Sequence, residues 1–139
     1  MTSEDRWACD TSVAIAALDP NHEAHRLCRG EVLALRPALA GHAAFESYAV
    51  LTRLPIPLRL SAAQATEVLL AAFPEPCWLD GARQDKLRRR LQEHTIVGGS
   101  VYDALVGEAA KANGRVLLTR DRRAERTYQA LEVSFRLVG

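Results

Sequence analysis

The chain has 139 residues, 48% of them apolar and 25% charged, a balance that suits one compact domain with a real core and leaves too little for two. A formal net charge of +1 excludes a globally basic nucleic-acid binder, so a polyanionic partner must be met by local patches. Cys9, Cys28 and Cys77 show no CxxC or Cys/His ligand spacing, which argues against a disulfide framework and a structural zinc site and fits reduced thiols in a cytoplasm.

The opening "MTSEDRWACDTSVAIAALDP" begins with acids, and its apolar run is short. It reads neither as a signal peptide nor as a membrane span, so the expected location is the cytoplasm, with no membrane partner. Sixteen of the 18 basic residues are Arg, which suits bidentate phosphate contacts and equally fits a GC-rich genome.

In chain order, "RWAC" (6–9) predicts a short strand, followed by the capping cluster "DTS" and a helix over "VAIAAL" that ends at Asp19-Pro20. "HEAHRLCR" (22–29) predicts a second short helix stopped by Gly30. "ALAG" (38–41) predicts a strand, and "HAAFESYAVLTRL" (42–54) a helix stopped by Pro55. The proline-dense "LPIPLR" (54–59) predicts a loop, and "SAAQATEVLLAAF" (61–73) a helix opened by a Ser cap. "CWLD" (77–80) predicts another strand. "GARQDKLRRRLQEH" (81–94) predicts a charged helix with Leu87 and Leu91 one turn apart. Residues 100–113 predict a helix ended by Asn113-Gly114, with Ser100 and Asp103 in capping-box spacing. "RVLLTRD" (115–121) is the clearest strand, "RRAERTYQAL" a helix, and "VSFRLV" (133–138) a last strand. Strands separated by helices imply parallel pairing with right-handed crossovers, hence an α/β sandwich.

In such a sheet, ligands bind outside the carboxyl ends of the strands. Asp10 follows the first strand, Asp121 follows "RVLLT" with only Arg120 between, and Asp103 opens the helix leading into that strand. Each has a structural alternative: Asp10 and Asp121 as caps of the helices after them, Asp103 as part of its own cap. Glu46 lies early in a helix otherwise filled with Ala, Phe, Tyr, Val and Leu, and exposure is the ordinary fate of a Glu there. Gathered together, the carboxylates repel: two of them 4 Å apart cost roughly 4 kcal/mol at an effective dielectric near 20. They then need cations or protons, and an all-oxygen cluster suits Mg²⁺ or Mn²⁺. A bound ion can then make water a nucleophile against a phosphodiester with no His or Ser nucleophile needed, and no nucleophile elbow, Walker loop or HExxH motif is present.

"CDTSVAIAALDPNHEAH", "HAAFESYAVLTRL", "GGSVYDALVGEAAKANG" and "RVLLTRDRRAERTY" together resemble a PIN domain, and most closely the VapC toxins of bacterial type II toxin–antitoxin modules. The resemblance runs through almost the whole chain and is weakest over residues 57–95. It implies a single PIN domain over 1–139, a three-layer α/β/α sandwich with a central, mainly parallel sheet. It also implies an endoribonuclease that cuts single-stranded RNA with Mg²⁺ or Mn²⁺. Asp10, Glu46, Asp103 and Asp121 match the four family acids, Asp10 and Asp103 as direct ligands and the other two through water or on a second ion. Thr11, Ser12 and Thr119 match hydroxyls placed near those acids, where capping or turn formation is their structural alternative. Arg122 and Arg123 stand where some relatives carry a further acid or Asn, which weakens the case for a second ion. The implied partners are a VapB-type antitoxin whose C-terminal segment covers the acidic groove, a second copy of the chain, and operator DNA reached only through the antitoxin.

Arg120, Arg122 and Arg123 lie beside the proposed metal site and are candidate RNA contacts. Arg83, Lys86 and Arg90 share a helical flank that is either a phosphate track or a solvated face with Asp85 paired to Arg89. His22, His25, His42 and His94 receive no catalytic role. Trp7 and Trp78 are assigned to the core, and Phe45, Tyr48, Leu51 and Tyr102 to packing or a dimer surface. Two other readings compete: a PIN-like module that binds RNA or protein without cutting, and a haloacid-dehalogenase-type phosphatase. The phosphatase wants a second Asp where Ser12 stands.

Overall fold

The computed structural model describes residues 5–139. Four strands, β1 (Arg6–Cys9), β2 (Ala38–Leu39), β3 (Arg115–Thr119) and β4 (Phe135–Leu137), form one sheet in the order β2-β1-β3-β4, and every pairing is parallel. Seven α-helices accompany it: α1 (Thr11–Leu18), α2 (His25–Leu35), α3 (Ala43–Leu51), α4 (Ala62–Ala72), α5 (Gly81–Glu93), α6 (Ser100–Ala112) and α7 (Glu125–Ala130), the last preceded by a 3-10 turn over Arg122–Ala124. Helices pack on both faces of the sheet, the three-layer α/β/α arrangement expected from the alternation of strands and helices.

Because helices cover the sheet, the central strands carry apolar side chains on both faces: Ala8 and Cys9 of β1 and Leu117 and Leu118 of β3 are fully buried. Val13, Ala14 and Ala16 of α1 and Ala104, Ala109 and Ala110 of α6 pack into the same core. Full burial of a Leu such as Leu51, Leu117 or Leu131 contributes about 1.5–3 kcal/mol each. The small helix residues allow close approach. Gly41, at φ +49°, would place a β-carbon 2.8 Å from that of Ala109, so the entry to α3 packs closely on α6 only because no side chain stands there.

Four local expectations are corrected. The second helix does not stop at Gly30 but runs to Leu35 and closes with Arg36 in the left-handed region. Gly30 is exposed with open space around it, and the roughly 1 kcal/mol that a helical Gly costs is offset by packing of Cys28 and Val32. Residues 77–80 form no strand. Pro74 and Pro76 remove backbone donors, and Asp80 turns the chain into α5 by accepting from the Arg83 N–H at 2.8 Å. Ser100 makes no side-chain cap bond, since α6 begins at Ser100 itself with Gly99 at the capping position. Asp85 approaches Arg88, not Arg89.

Trp78 is also corrected: it is 54% exposed, with its ring 5.8 Å from that of Phe45. Trp7 packs partly against the core and lies under the Arg136 guanidinium. All three cysteines are buried and unpaired. No helix among the described residues is long and apolar enough to cross a membrane.

Candidate active site

Parallel pairing puts the carboxyl ends of β1, β2 and β3 along one edge, with β1 in the middle. The chain leaves β1 at Asp10, whose backbone N–H donates to Leu118 O at 3.2 Å, so this acid is fixed at the sheet edge. Its Oδ1 caps α1, accepting from the Val13 N–H at 3.3 Å and from the Ser12 hydroxyl at 2.5 Å. Its Oδ2 accepts from the Tyr128 hydroxyl at 3.1 Å. Ser12 Oγ in turn accepts from the Arg120 N–H at 2.8 Å, tying the start of α1 to the exit of β3.

At that exit, Thr119 Oγ1 accepts from the Asp121 N–H, and Asp121 Oδ1 accepts from the Arg123 N–H, each at 3.0 Å. Asp10 and Asp121 are therefore genuine caps, and both also line the cleft. Glu46 lies in the first turn of α3 and Asp103 in the first turn of α6. Asp10, Glu46, Asp103 and Asp121 line one small cleft together with Thr11, Ser12, Val106 and Tyr128. Thr119 stands just behind it, fully buried.

The electrostatics follow from crowding. Burial pushes the Asp10 carboxyl up from its ordinary value, against the hydrogen bonds from Ser12, Thr119, Val13 and Tyr128, which favour the ionised form. Asp103 is pushed up to about 6, first by burial and then by the negative charges of Asp121, Asp10 and Glu46, with Arg123 opposing. The Tyr128 phenol is also raised, by burial and then by Asp10, so it stays a neutral donor.

Chemically the cleft is a concentration of oxygen donors. The buried Thr11 Oγ1 has no hydrogen-bond partner, as a hydroxyl awaiting a water or ion does. Among the described residues no three His, Cys, Asp or Glu side chains converge into a ready-made cage. The donors that line the cleft are all oxygen, which fits a hard divalent cation and not a soft metal. A roomier groove of about 380 Å³ runs beside α1, α2 and the end of α4. It is mostly apolar, and its one carboxylate, Glu75, is engaged by Arg115.

Of the basic candidates, Arg122 and Arg123 are exposed beside Asp121, with Arg123 Nε 3.6 Å from its carboxylate. Arg120 is half-buried and donates to Val138 O at 2.9 Å. Arg83, Lys86 and Arg90 lie on α5, which contributes nothing to the cleft lining. Arg83 is engaged by Asp80, and Arg90 donates to Glu108 of α6 at 2.9 Å. Sequence reasoning missed Tyr128, because its bond to Asp10 joins positions 118 apart and no local pattern signals it.

A family model of the PIN domain matches residues 8–130. The chain is 44% identical over 126 residues to Ribonuclease VapC27 of Mycobacterium tuberculosis, covering 91% of this chain and 92% of that protein. It is 45% identical over 135 residues to Ribonuclease VapC40 from two strains of the same organism, covering 94% and 98%. The matched span includes all four cleft acids and the elements that carry them, and the chain belongs to the PIN-domain family, among its VapC ribonucleases.

Proposed function

We propose that this protein is the toxin of a type II toxin–antitoxin module and hydrolyses phosphodiester bonds in single-stranded RNA, with Mg²⁺ or Mn²⁺ held at the acidic cleft. The observation that carries the reading is the meeting of Asp10, Glu46, Asp103 and Asp121 in one cleft, with Asp103 pushed up to about 6 by burial and its neighbours' charge. A divalent ion bound there supplies positive charge against the phosphate and the means of making water a nucleophile near neutral pH. Asp10, clamped by three donors, and Asp103, opening α6, are its direct ligands. Glu46 and Asp121 orient water around it. Arg122 and Arg123, following the fourth acid, favour one ion over two and offer phosphate contacts, with Arg120 bracing the loop they stand on. Arg83, Lys86 and Arg90 on α5 are a second candidate set of phosphate contacts, with Arg83 and Arg90 already engaged by Asp80 and Glu108. Attack by water leaves a 5′-phosphate and a 3′-hydroxyl.

The names of the VapC relatives support a VapB-type antitoxin as partner. In this proposal its C-terminal segment lies over the cleft, and operator DNA is reached only through it. The exposed rings of Phe45 (64%), Tyr48 (37%) and Tyr102 (50%) support a homodimer face beside the cleft, whereas Leu51 is buried and serves packing. Strand β4, beyond the matched span, completes the same sheet and supports one PIN domain over 1–139. A cytoplasmic location completes the proposal.

The test is incubation of purified, antitoxin-free protein with RNA in Mg²⁺ and in EDTA. Chelator-sensitive strand cutting is the expected result. Binding without cutting would return the chain to a non-cleaving module, and phosphate release from small esters would favour a phosphatase.

A further inference from the structure

We infer that Tyr128 is a positioning residue for the cleft: its hydroxyl, bonded to Oδ2, fixes the direction in which the Asp10 carboxylate faces a cation. The inference rests on the metal-nuclease reading and adds to it a residue outside the four acids and three hydroxyls.

An ionised carboxylate offers about four lone-pair sites, two on each oxygen. On Oδ1 of Asp10 both are used, by the Ser12 hydroxyl at 2.5 Å and the Val13 N–H at 3.3 Å. On Oδ2 one is used, by the Tyr128 hydroxyl at 3.1 Å. With the Thr119 hydroxyl also turned to this carboxylate, most of its acceptor capacity is taken and its orientation is fixed. A carboxylate held in this way would suit one-point contact with a hard ion that keeps its waters.

Tyr128 is well held for this task. It is fully buried yet contributes to the cleft lining. Its ring lies against Gly107 of α6, the helix that carries Asp103, and 5.7 Å from the ring of Phe135 on β4. One side chain therefore spans from the helix of one direct ligand to the carboxylate of the other. Facing a carboxylate oxygen, which only accepts, the phenol is the donor of the pair.

Tyr128→Phe keeps the ring and its packing and removes only the donor. Groups that orient metal ligands through hydrogen bonds typically alter affinity or activity by about 10–100-fold when removed. The experiment is calorimetric titration of Mn²⁺ into the antitoxin-free full chain for wild type, Tyr128→Phe, Asp10→Asn and the double variant, with thermal unfolding and RNA cleavage alongside. Mn²⁺ affinity should fall by about tenfold or more in Tyr128→Phe, with kcat reduced and KM for RNA little changed. In the Asp10→Asn background the same change should have no further effect on affinity, because Tyr128 acts only through that carboxylate. A Tyr128→Phe protein that binds Mn²⁺ as tightly as wild type overturns the inference and leaves the nuclease reading intact. Equal losses in both backgrounds overturn it too, since they describe a general packing defect. A wild-type chain that binds no divalent cation overturns both.

Discussion

The ring of Tyr128 lies directly against Gly107: a β-carbon added there would sit 3.0 Å from Tyr128 Cδ1 and 3.0 Å from Val133 Cγ2. Both neighbours are buried, so neither can swing away into solvent. Gly107→Ala should gain about 1 kcal/mol of helix propensity and lose about 1–3 kcal/mol to overpacking, a net destabilisation. Urea unfolding measures that sum. RNA cleavage should fall further than stability does, because the ring must shift with its hydroxyl. An unchanged midpoint with full activity would show that this contact yields freely.

The crowded acids make the metal-free protein pH-sensitive in an unusual direction. Asp103 is raised to about 6 in the folded state, above its ordinary 3.8, and Asp10 moves the same way. Between these values the folded protein binds more protons than the unfolded chain, so this contribution makes stability fall as pH rises through about 4 to 6. Asp103→Asn should flatten that slope, keep the fold and abolish cation-dependent cleavage. Saturating Mg²⁺ should also flatten it, adding about 2.7 kcal/mol when the ion is at 100 times its Kd. Unfolding midpoints at pH 4.5 and 7.5, with Mg²⁺ and with EDTA, check each part. A wild-type slope unaffected by Asp103→Asn would mean that the carboxylates are farther from mutual repulsion than the geometry implies.

Ser12 makes two bonds that different parts of the chain depend on, one to Asp10 and one from the Arg120 N–H. Ser12→Ala leaves that N–H without its partner and removes a donor that favours ionised Asp10. The expected cost is about 1–3 kcal/mol in stability, together with weaker Mg²⁺ binding and an Asp10 pKa pushed higher still. Thermal unfolding and carboxylate titration by NMR separate the two effects.

Arg122 and Arg123 are exposed at the mouth of the site, whereas Arg83 already has Asp80 as a partner. Arg122→Ala and Arg123→Ala should each weaken single-stranded RNA binding and lower the salt slope by about 0.7 for each phosphate no longer neutralised. Arg83→Ala should change it less. Binding isotherms at several salt concentrations, with cleavage suppressed by EDTA, provide the comparison. The reverse order would move the RNA path onto α5.

The sheet was legible because its strands alternate with helices, and the cleft was legible because Asp10 and Asp121 follow strands directly. Where the sequence misled, a local signal was outvoted by packing. Gly30 looked like a stop, yet the turns on either side of it bury Cys28 and support Val32 against α1. "CWLD" has strand-like residues, but two prolines and a capping Asp leave it without a ladder partner. Trp78 looked like core and stands at the surface beside Phe45. Tyr128 gave no warning at all. Its role depends on a bond between the first strand's end and the last helix, which only the folded chain reveals.

That long-range bond has a consequence for synthesis. β1 leaves the ribosome early but finds its neighbour β3 only after residues 115–119 appear, and Asp10 gains the Tyr128 hydroxyl later still. A nascent chain halted before that point carries three of the acids, or all four, without the clamp that aims the first. Translation itself therefore delays assembly of the cleft until residue 128 has been made.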